Sequence, residues 1–256
     1  MKTLLAVALA VSLLGLAGSV SAEEKVLKIG TEAAYKPFAY IDASGEMTGF
    51  DIDITHALCA QMQVKCEIVN QDFDGLIPAL KVKKIDAIIA SMSITEDRKK
   101  NIDFAGPYYT TPRRFIGRKG MALELNPESF KDKIVGVQRG TTNANYVEQK
   151  LKGFATAKYY DTQDAANLDL AAGRVDVVLA DSVVLQTFLD SKDAEGLDFV
   201  TAPIPDPAIF GVGAGIGLRQ GDDALKQQFN AALKALIASN KYQEINKKYL
   251  AVDIKP

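Results

Sequence analysis

Apolar runs of strand length alternate with helical patterns along the first part of the chain. The strand-like runs cover residues 26–30, 67–69 and 86–90, and the helical patterns cover residues 53–62 and 75–83. Strands buried on both faces of a sheet are continuously apolar, whereas a helix places apolar residues every three or four positions. The alternation therefore predicts an α/β fold with parallel strands.

The later part of the chain repeats units of the earlier part. Residues 84–91 (KIDAIIAS) align with residues 174–181 (RVDVVLAD), and each stretch follows a helical pattern rich in Leu and Ala. Residues 27–31 and 134–137 form a second pair, in which a strand leads into a polar turn. The repeats favour two lobes that are built alike, although any α/β domain can reuse such a unit.

The first residues are typical of a secretory signal. Lys2 is followed by an apolar run over residues 4–16 and then by small residues up to Ala22. The run is too short to span a membrane, and cleavage is expected after Ala22. We therefore expect an exported protein without a membrane anchor.

Two segments with prolines are places where the chain could cross between lobes, namely residues 108–112 and 203–207. The final helical pattern, with apolar residues at 225, 229, 233 and 236, is expected to pack on the first lobe. Two crossings make a hinge, and facing lobes would share one cleft at the carboxyl ends of their strands. The predicted units are a signal peptide (residues 1–22), a first lobe (residues 23–111 and 210–256) and a second lobe (residues 112–209).

Composition and charge exclude several functions. The 30 basic and 32 acidic residues give a net charge of −2, which argues against a nucleic-acid-binding face. The single histidine, His56, is too few for a zinc site of the HExxH type and is expected on a helix surface. No catalytic triad is evident around it. We therefore expect neither a metal nor another cofactor.

Export changes the interpretation of the two cysteines. In an oxidising compartment Cys59 and Cys66 can pair, and two cysteines with one histidine are too few for structural zinc. Cys59 is near the end of a predicted helix and Cys66 begins a predicted strand. Closing this eight-residue loop would contribute about 2.5 kcal/mol in the chain-entropy model.

Polar and aromatic side chains follow the predicted strands at their carboxyl ends. Arg98 offers paired N–H donors that match a carboxylate, and a helix beginning at Thr142 would present free backbone N–H groups to the same anion. Acidic side chains there could hold a cation, and aromatic rings could flank an aliphatic or guanidinium chain. Helix capping, solvent exposure and core packing are the alternative interpretations. The candidates are Glu32, Tyr35, Phe73, Ser91, Ser93, Arg98, Thr142 and Asp181.

Five motifs carry a resemblance to a known family. They are residues 35–38 (YKPF), 49–54 (GFDIDI), 72–80 (DFDGLIPAL), 93–98 (SITEDR) and 242–249 (YQEINKKY). With them the chain resembles the periplasmic amino-acid-binding proteins of ABC importers, the family 3 solute-binding proteins. Its cysteine pair resembles the branch that binds lysine, arginine, ornithine and histidine. The resemblance implies the two-lobed type II fold, a two-segment hinge, a periplasmic location, no enzyme activity, a monomer and a membrane permease as partner.

The resemblance also implies how an amino acid would be held. Its α-carboxylate would bind Arg98 with help from Ser93 and Thr142, and its α-ammonium would bind Asp181 together with Ser91. The other implied contacts are a sandwich of the ligand side chain between Tyr35 and Phe73 and a contact of Glu32 with its distal charge.

The charges of these candidates favour a cationic ligand. Glu32, Asp181 and Arg98 sum to −1, which complements an amino acid of net charge +1. Arg139 would upset this sum if it pointed into the cleft, and we expect it to point outward.

Four positions depart from the pattern of the branch. Ala90 stands where relatives carry a serine, Glu32 replaces a shorter aspartate, and Gln138 and Asn143 also differ. Together they favour a long guanidinium ligand, arginine first, ahead of ornithine, lysine or histidine. An opine of the octopine or nopaline type stays open as a ligand. So does a dehydratase-like enzyme that uses Glu32 as its acid or base.

Overall fold

The computed structural model describes residues 26–256, so the predicted signal peptide lies outside the described residues. The strands form two five-stranded sheets and one three-stranded sheet. The first elements are β1 (Val26–Thr31), β2 (Ala34–Tyr35), β3 (Ala39–Ile41), β4 (Met47–Thr48), α1 (Phe50–Met62), β5 (Lys65–Asn70), α2 (Leu76–Lys81), β6 (Ala87–Ile88), α3 (Glu96–Lys99) and β7 (Asp103–Tyr109). The next are β8 (Arg113–Arg118), β9 (Ile134–Gln138), α4 (Thr142–Lys150), β10 (Thr156–Tyr160), α5 (Gln163–Ala171), β11 (Val177–Asp181), α6 (Ser182–Leu189), β12 (Leu197–Phe199) and α7 (Pro207–Phe210). The last are β13 (Ala214–Leu218), α8 (Asp223–Ala238) and α9 (Asn240–Tyr249).

The two five-stranded sheets have the same topology. Their strand orders are β5-β1-β6-β13-β7 and β10-β9-β11-β8-β12. The first three strands of each order are parallel, and the fourth runs antiparallel to both neighbours. The repeats seen in the sequence take matching places, because β1 and β9 are second and β6 and β11 are third. The prediction of two similar α/β lobes is confirmed.

Each sheet is mixed, whereas the alternating pattern predicted parallel strands. The antiparallel strand is β13 in the first sheet and β8 in the second. Each of these is the strand that the chain enters directly after leaving the other lobe. Their direction is therefore a consequence of the crossing, which local apolar periodicity does not encode.

The chain passes between the sheets twice. It leaves β7 and enters β8 through residues 110–112, and it returns after α7, whose Phe210 packs in the core of the second lobe. The return runs through residues 211–213, where Gly211 has a φ of +75° and a Cβ would overlap the carbonyl oxygen of Ile94. The predicted division at residues 111/112 and 209/210 stays a prediction.

Each sheet is covered on both faces. On β8, Phe115 and Ile116 point to opposite sides and belong to different apolar clusters of the second lobe. In the first lobe α8 packs on the sheet as the sequence predicts, through Leu225, Phe229, Leu233 and Leu236. The hydroxyl of Tyr242 then donates a hydrogen bond of 2.7 Å to the carbonyl oxygen of Tyr108, which ties α9 to β7.

The predicted disulfide is present between Cys59 and Cys66, whose Cα atoms are 6.2 Å apart. It joins the last turn of α1 to β5, and Gln63 adopts a left-handed conformation (φ 54°) in the turn between them. His56 is exposed on α1, as expected. Within residues 26–256 we find no helix of the length and apolar character needed to cross a membrane.

Candidate ligand-binding site

A cavity lies between the two lobes, with about 430 Å³ of space that no atom fills, part of it open to solvent. Seven of the eight candidates line it, and Asp181 is the exception. The first lobe contributes Glu32, Tyr35, Ala39, Asp51, Phe73, Ala90, Ser91, Ser93 and Arg98, and the second contributes Arg113, Gln138, Thr141, Thr142 and Asn143.

The cavity lies at the carboxyl ends of parallel strands, as predicted. Glu32 directly follows β1, Ser91 lies three residues beyond the end of β6, and Gln138 is the last residue of β9. Because the first three strands of each sheet share one direction, their carboxyl ends meet at one edge and the two edges face each other. The fold thereby brings side chains that are far apart in sequence into one site.

Arg98 is a half-buried arginine whose hydrogen-bond acceptors are neutral. It lies in α3, capped by the hydroxyl of Thr95, and donates 2.9 Å to the carbonyl oxygen of Ser93 and 3.1 Å across the cleft to that of Gly140. Its Cζ lies 5.5 Å from the centre of the Phe73 ring. Burial, and then the positive charge of Arg113, lower the Arg98 pKa to about 10. Arg98 therefore stays protonated at neutral pH, and because its acceptors are neutral its positive charge is available to an anion in the cavity.

The beginning of α4 faces the same cavity. Thr141 caps the helix, since its hydroxyl accepts a hydrogen bond from the backbone N–H of Ala144 (3.2 Å) and donates one to the carbonyl oxygen of Gln138 (2.7 Å). Thr142 is the first helical residue and is buried. The backbone N–H groups of a first helical turn have no partner within the helix, which suits this position to an anion.

Glu32 is buried and bonded across the cleft. Both of its carboxylate oxygens accept hydrogen bonds from Nε2 of Gln138, at 2.7 and 2.9 Å, and Nε2 also donates 3.1 Å to the carbonyl oxygen of Asp161. Burial raises the Glu32 pKa to about 7, although these hydrogen bonds oppose the rise. Gln138 is therefore the direct hydrogen-bond partner of Glu32. The sequence had identified Gln138 only as a departure from the family pattern.

Asp51 is a second buried carboxyl in the cavity, and sequence reasoning missed it as a site residue. Its Oδ2 accepts a 3.0 Å hydrogen bond from the hydroxyl of Ser91, while Oδ1 has no hydrogen-bond partner among residues 26–256. Burial raises its pKa to about 7. The available signal was its spacing in α1, because Asp51 shares a face with Thr55 and Leu58, which are both buried.

Asp181 differs most from expectation, because it is paired with an arginine. It is fully buried as the cap of α6, and its Oδ2 lies 3.1 Å from Nη1 of Arg113 and accepts a 2.5 Å hydrogen bond from the hydroxyl of Thr111. Arg113 and Asp181 are directly opposite each other on β8 and β11. Arg113, not Asp181, therefore faces the cavity. Sequence reasoning missed Arg113, and its position just after the crossing at Pro112 was the signal.

The aromatic candidates are at the cavity, and Arg139 points outward as expected. Tyr35 and Phe73 both line the cavity, and burial raises the Tyr35 pKa well above its ordinary value. Arg139 points to the surface and pairs with Asp161 at 2.9 Å, where both side chains are exposed. It therefore adds no charge to the cavity.

Comparison with known proteins gives the family. The family model of the bacterial extracellular solute-binding proteins, family 3, matches residues 27–252. The chain belongs to this family. Among known proteins similar to this chain, the L-arginine-binding protein of Pseudomonas aeruginosa is 46% identical over 250 residues, covering 96% of this chain and 95% of the relative. The lysine/arginine/ornithine-binding periplasmic protein of Escherichia coli is 40% identical over 256 residues, covering 99% and 98%.

A solved structure of a similar protein agrees with the fold. The periplasmic binding protein of Salmonella typhimurium described for its high arginine specificity superimposes with a TM-score of 0.83 at 35% identity. The match covers 89% of this chain and all of that one. The two-lobed fold inferred from the motifs is thus confirmed.

Proposed function

We propose that this solute-binding protein captures a cationic L-amino acid between its lobes and delivers it to an ABC permease. Arginine is the first choice, ahead of ornithine, lysine and histidine. The observation that carries the proposal is one interlobe cavity that combines the Arg98 guanidinium with the buried carboxyls of Glu32 and Asp51, beside the rings of Tyr35 and Phe73. The relatives named for arginine support the same choice.

The anionic end of the ligand would bind at Arg98. A ligand carboxylate there would give Arg98 a charged hydrogen-bond acceptor in place of neutral carbonyl oxygens. The same carboxylate would accept hydrogen bonds from the Ser93 hydroxyl and from the N-terminus of α4 at Thr142. The ligand carboxylate also neutralises a guanidinium that burial otherwise disfavours.

The cationic end would bind at the carboxyls. Glu32 has accepting lone pairs beyond those used by Gln138, and Oδ1 of Asp51 is free of partners in the described part of the chain. A guanidinium between them would favour their ionised forms and lower both raised pKa values. Tyr35 and Phe73 would then cover the aliphatic part of the ligand.

Closure of the lobes would couple capture to delivery. Hydrogen bonds cross the cleft from Arg98 to Gly140 and from Gln138 to Glu32, and a ligand held by both lobes adds contacts that only the closed arrangement makes. Binding would therefore shift the population toward the closed form, which the permease receives. The proposal includes export by a signal peptide, a periplasmic location, a monomeric state, and neither nucleic acid nor a cofactor.

A dehydratase-like enzyme is the second candidate function. The observation that favours it is the Glu32 carboxyl, whose pKa near 7 suits a general acid or base. Its partner Gln138 and the aromatic walls fit retention of a ligand better. Incubation with arginine and with cyclic carboxylic acids, followed by mass spectrometry, separates the two functions, since a binding protein returns the compounds unchanged.

Calorimetry on protein freed of ligand by unfolding and refolding tests the binding function. We expect arginine to bind with micromolar or tighter affinity, and Arg98→Ala to weaken it at least a hundredfold. Lys99→Ala is the matched control, because Lys99 is the next residue of α3 and pairs with Glu96 on the surface. Near-native affinity of Arg98→Ala, or equal losses in the two variants, would refute the site.

A further inference from the structure

Tyr108 is a fully buried tyrosine of β7 whose hydroxyl lies beside two residues of the cavity wall, Ser91 and Asp51. We propose that Tyr108 is a positioning residue, which holds Ser91 and the Asp51 carboxyl in place for the cationic end of the ligand. Tyr108 does not itself line the cavity, so it acts through these two neighbours. The inference rests on the proposed function for its ligand, whereas the effect of Tyr108 on Asp51 can be measured without one.

Ser91 has a backbone conformation that residues with a side chain rarely adopt. Its φ is +53°, in the left-handed region. Its backbone N–H donates a 2.9 Å hydrogen bond to the Tyr108 hydroxyl, and its own hydroxyl donates one of 3.0 Å to Oδ2 of Asp51. A strained conformation of this kind persists only where the surrounding structure holds it. The hydrogen bond to Tyr108 is therefore one of the contacts that keep Ser91 in position.

The Tyr108 hydroxyl keeps a proton to donate, because it is the acceptor of the hydrogen bond from Ser91. Burial raises the Asp51 pKa, and the hydroxyls of Ser91 and Tyr108 oppose the rise. Burial and then the charge of Asp51 raise the Tyr108 pKa well above its ordinary value, so the phenol stays protonated. Tyr108 thus favours the ionised form of Asp51, which is the form that attracts a cation.

The ring of Tyr108 is held by its packing. It stacks on Phe50 with 6.5 Å between the ring centres and 14° between the ring planes, and it meets Tyr109 edge to face at 5.1 Å. The Tyr242 hydroxyl also bonds the Tyr108 carbonyl oxygen at 2.7 Å. A hydroxyl on a ring that cannot shift presents its donor and its acceptor in one fixed place, which is what a supporting residue behind a site has to do.

Titration of the Asp51 carboxyl in refolded, ligand-free protein tests the inference by carbon-13 NMR of labelled aspartate carboxyls. The Asp51 signal is assigned by its absence in Asp51→Asn. We expect a midpoint of about 7 in wild type, and one higher by about half a pH unit or more in Tyr108→Phe, which lacks a donor to the carboxylate. Tyr109→Phe is the matched control and should keep the wild-type midpoint, because the buried Tyr109 hydroxyl has no hydrogen-bond partner in residues 26–256.

The other titratable groups that act on Asp51 or line its cavity are the same in wild type and Tyr108→Phe. They are Tyr109, Tyr242, Asp181, Glu32, Arg98 and Arg113. A difference between the two midpoints therefore reports the Tyr108 hydroxyl.

Calorimetry with arginine measures the consequence for the ligand. Tyr108→Phe should raise the arginine Kd about tenfold at pH 7 and by less at pH 9, where the Asp51 carboxyl is largely ionised in both proteins. Tyr109→Phe should leave the Kd unchanged at both pH values. Equal losses of affinity in the two variants, or a loss in Tyr108→Phe that is the same at both pH values, would overturn the inference.

A second background covers the case in which Tyr108→Phe leaves the Ser91 N–H unpaired and the protein does not fold. Ser91→Gly accepts a φ of +53° without strain, and adding Tyr108→Phe to it should again raise the Asp51 midpoint. A midpoint that Tyr108→Phe leaves unchanged, in whichever background folds, overturns the inference. Wild type that binds no arginine overturns the proposed function instead, while the titration still tests the effect of Tyr108 on Asp51.

Discussion

Ionisation of the buried Asp51 carboxyl should lower the free energy of unfolding as pH rises, and a single substitution should remove this pH dependence. In the unfolded chain its carboxyl ionises near its ordinary pKa of 3.8, and in the folded protein burial raises that pKa to about 7. Between these values the folded protein retains a proton that the unfolded chain has lost, so stability falls as pH rises, by about 1.4 kcal/mol per pH unit. The penalty reaches about 4 kcal/mol above pH 7, of which about 2 kcal/mol develops between pH 5 and pH 7.

Asp51→Asn removes the ionisation and keeps an acceptor for the Ser91 hydroxyl. The amide NH₂ group of the asparagine would stand where Oδ1 has no hydrogen-bond partner. This buried donor without an acceptor would lower the free energy of unfolding by about 1–3 kcal/mol at every pH. We therefore expect the variant, measured without ligand, to gain about 3 kcal/mol relative to wild type between pH 5 and pH 8. The buried Asp51 carboxyl would thus lower the stability of the ligand-free protein while it provides a contact for the ligand.

Urea denaturation followed by circular dichroism at pH 5 and pH 8 measures this difference. Asp53→Asn is the control on the same helix, since Asp53 pairs with Lys248 at 2.7 Å where Lys248 is exposed, and its loss should change stability by less than about 1 kcal/mol. A stability difference between Asp51→Asn and wild type that is the same at both pH values would refute the reasoning.

Three further outcomes are expected. Arginine affinity should rise from pH 5.5 to pH 8, because the raised pKa values of Glu32 and Asp51 leave both carboxyls largely protonated in acid; flat calorimetric affinities over this range would contradict their contact with the cation. Glu32→Gln should lower the affinity for arginine at least tenfold more than the affinity for a neutral amino acid such as glutamine. Equal losses of affinity would reject a contact between Glu32 and the distal charge of arginine. Replacing both Cys59 and Cys66 by serine should lower the free energy of unfolding by about 2.5 kcal/mol in urea, with arginine affinity unchanged.

Half of the residues that line the cavity could be named from sequence, because parallel strands bring their carboxyl ends to one edge. Glu32 and Ser91 follow predicted strands, Thr142 begins the helix after a third strand, and all three residues line the cavity. The rule locates a residue and does not say what its side chain contacts. Gln138 shows the limit, since its bond to Glu32 joins residues 106 positions apart on different lobes.

The amino-acid sequence by itself determined the α/β alternation, the two similar lobes, the Cys59–Cys66 disulfide and half of the residues around the cavity. These features follow from local periodicity, from repeats and from motifs, all of which are properties of contiguous stretches of sequence. Only the tertiary structure decided that Asp181 is paired and that Arg113 faces the cavity, because the register of β8 against β11 sets that contact. The burial that raises the Asp51 pKa is likewise a sum over neighbours from several segments, and no stretch of sequence contains it.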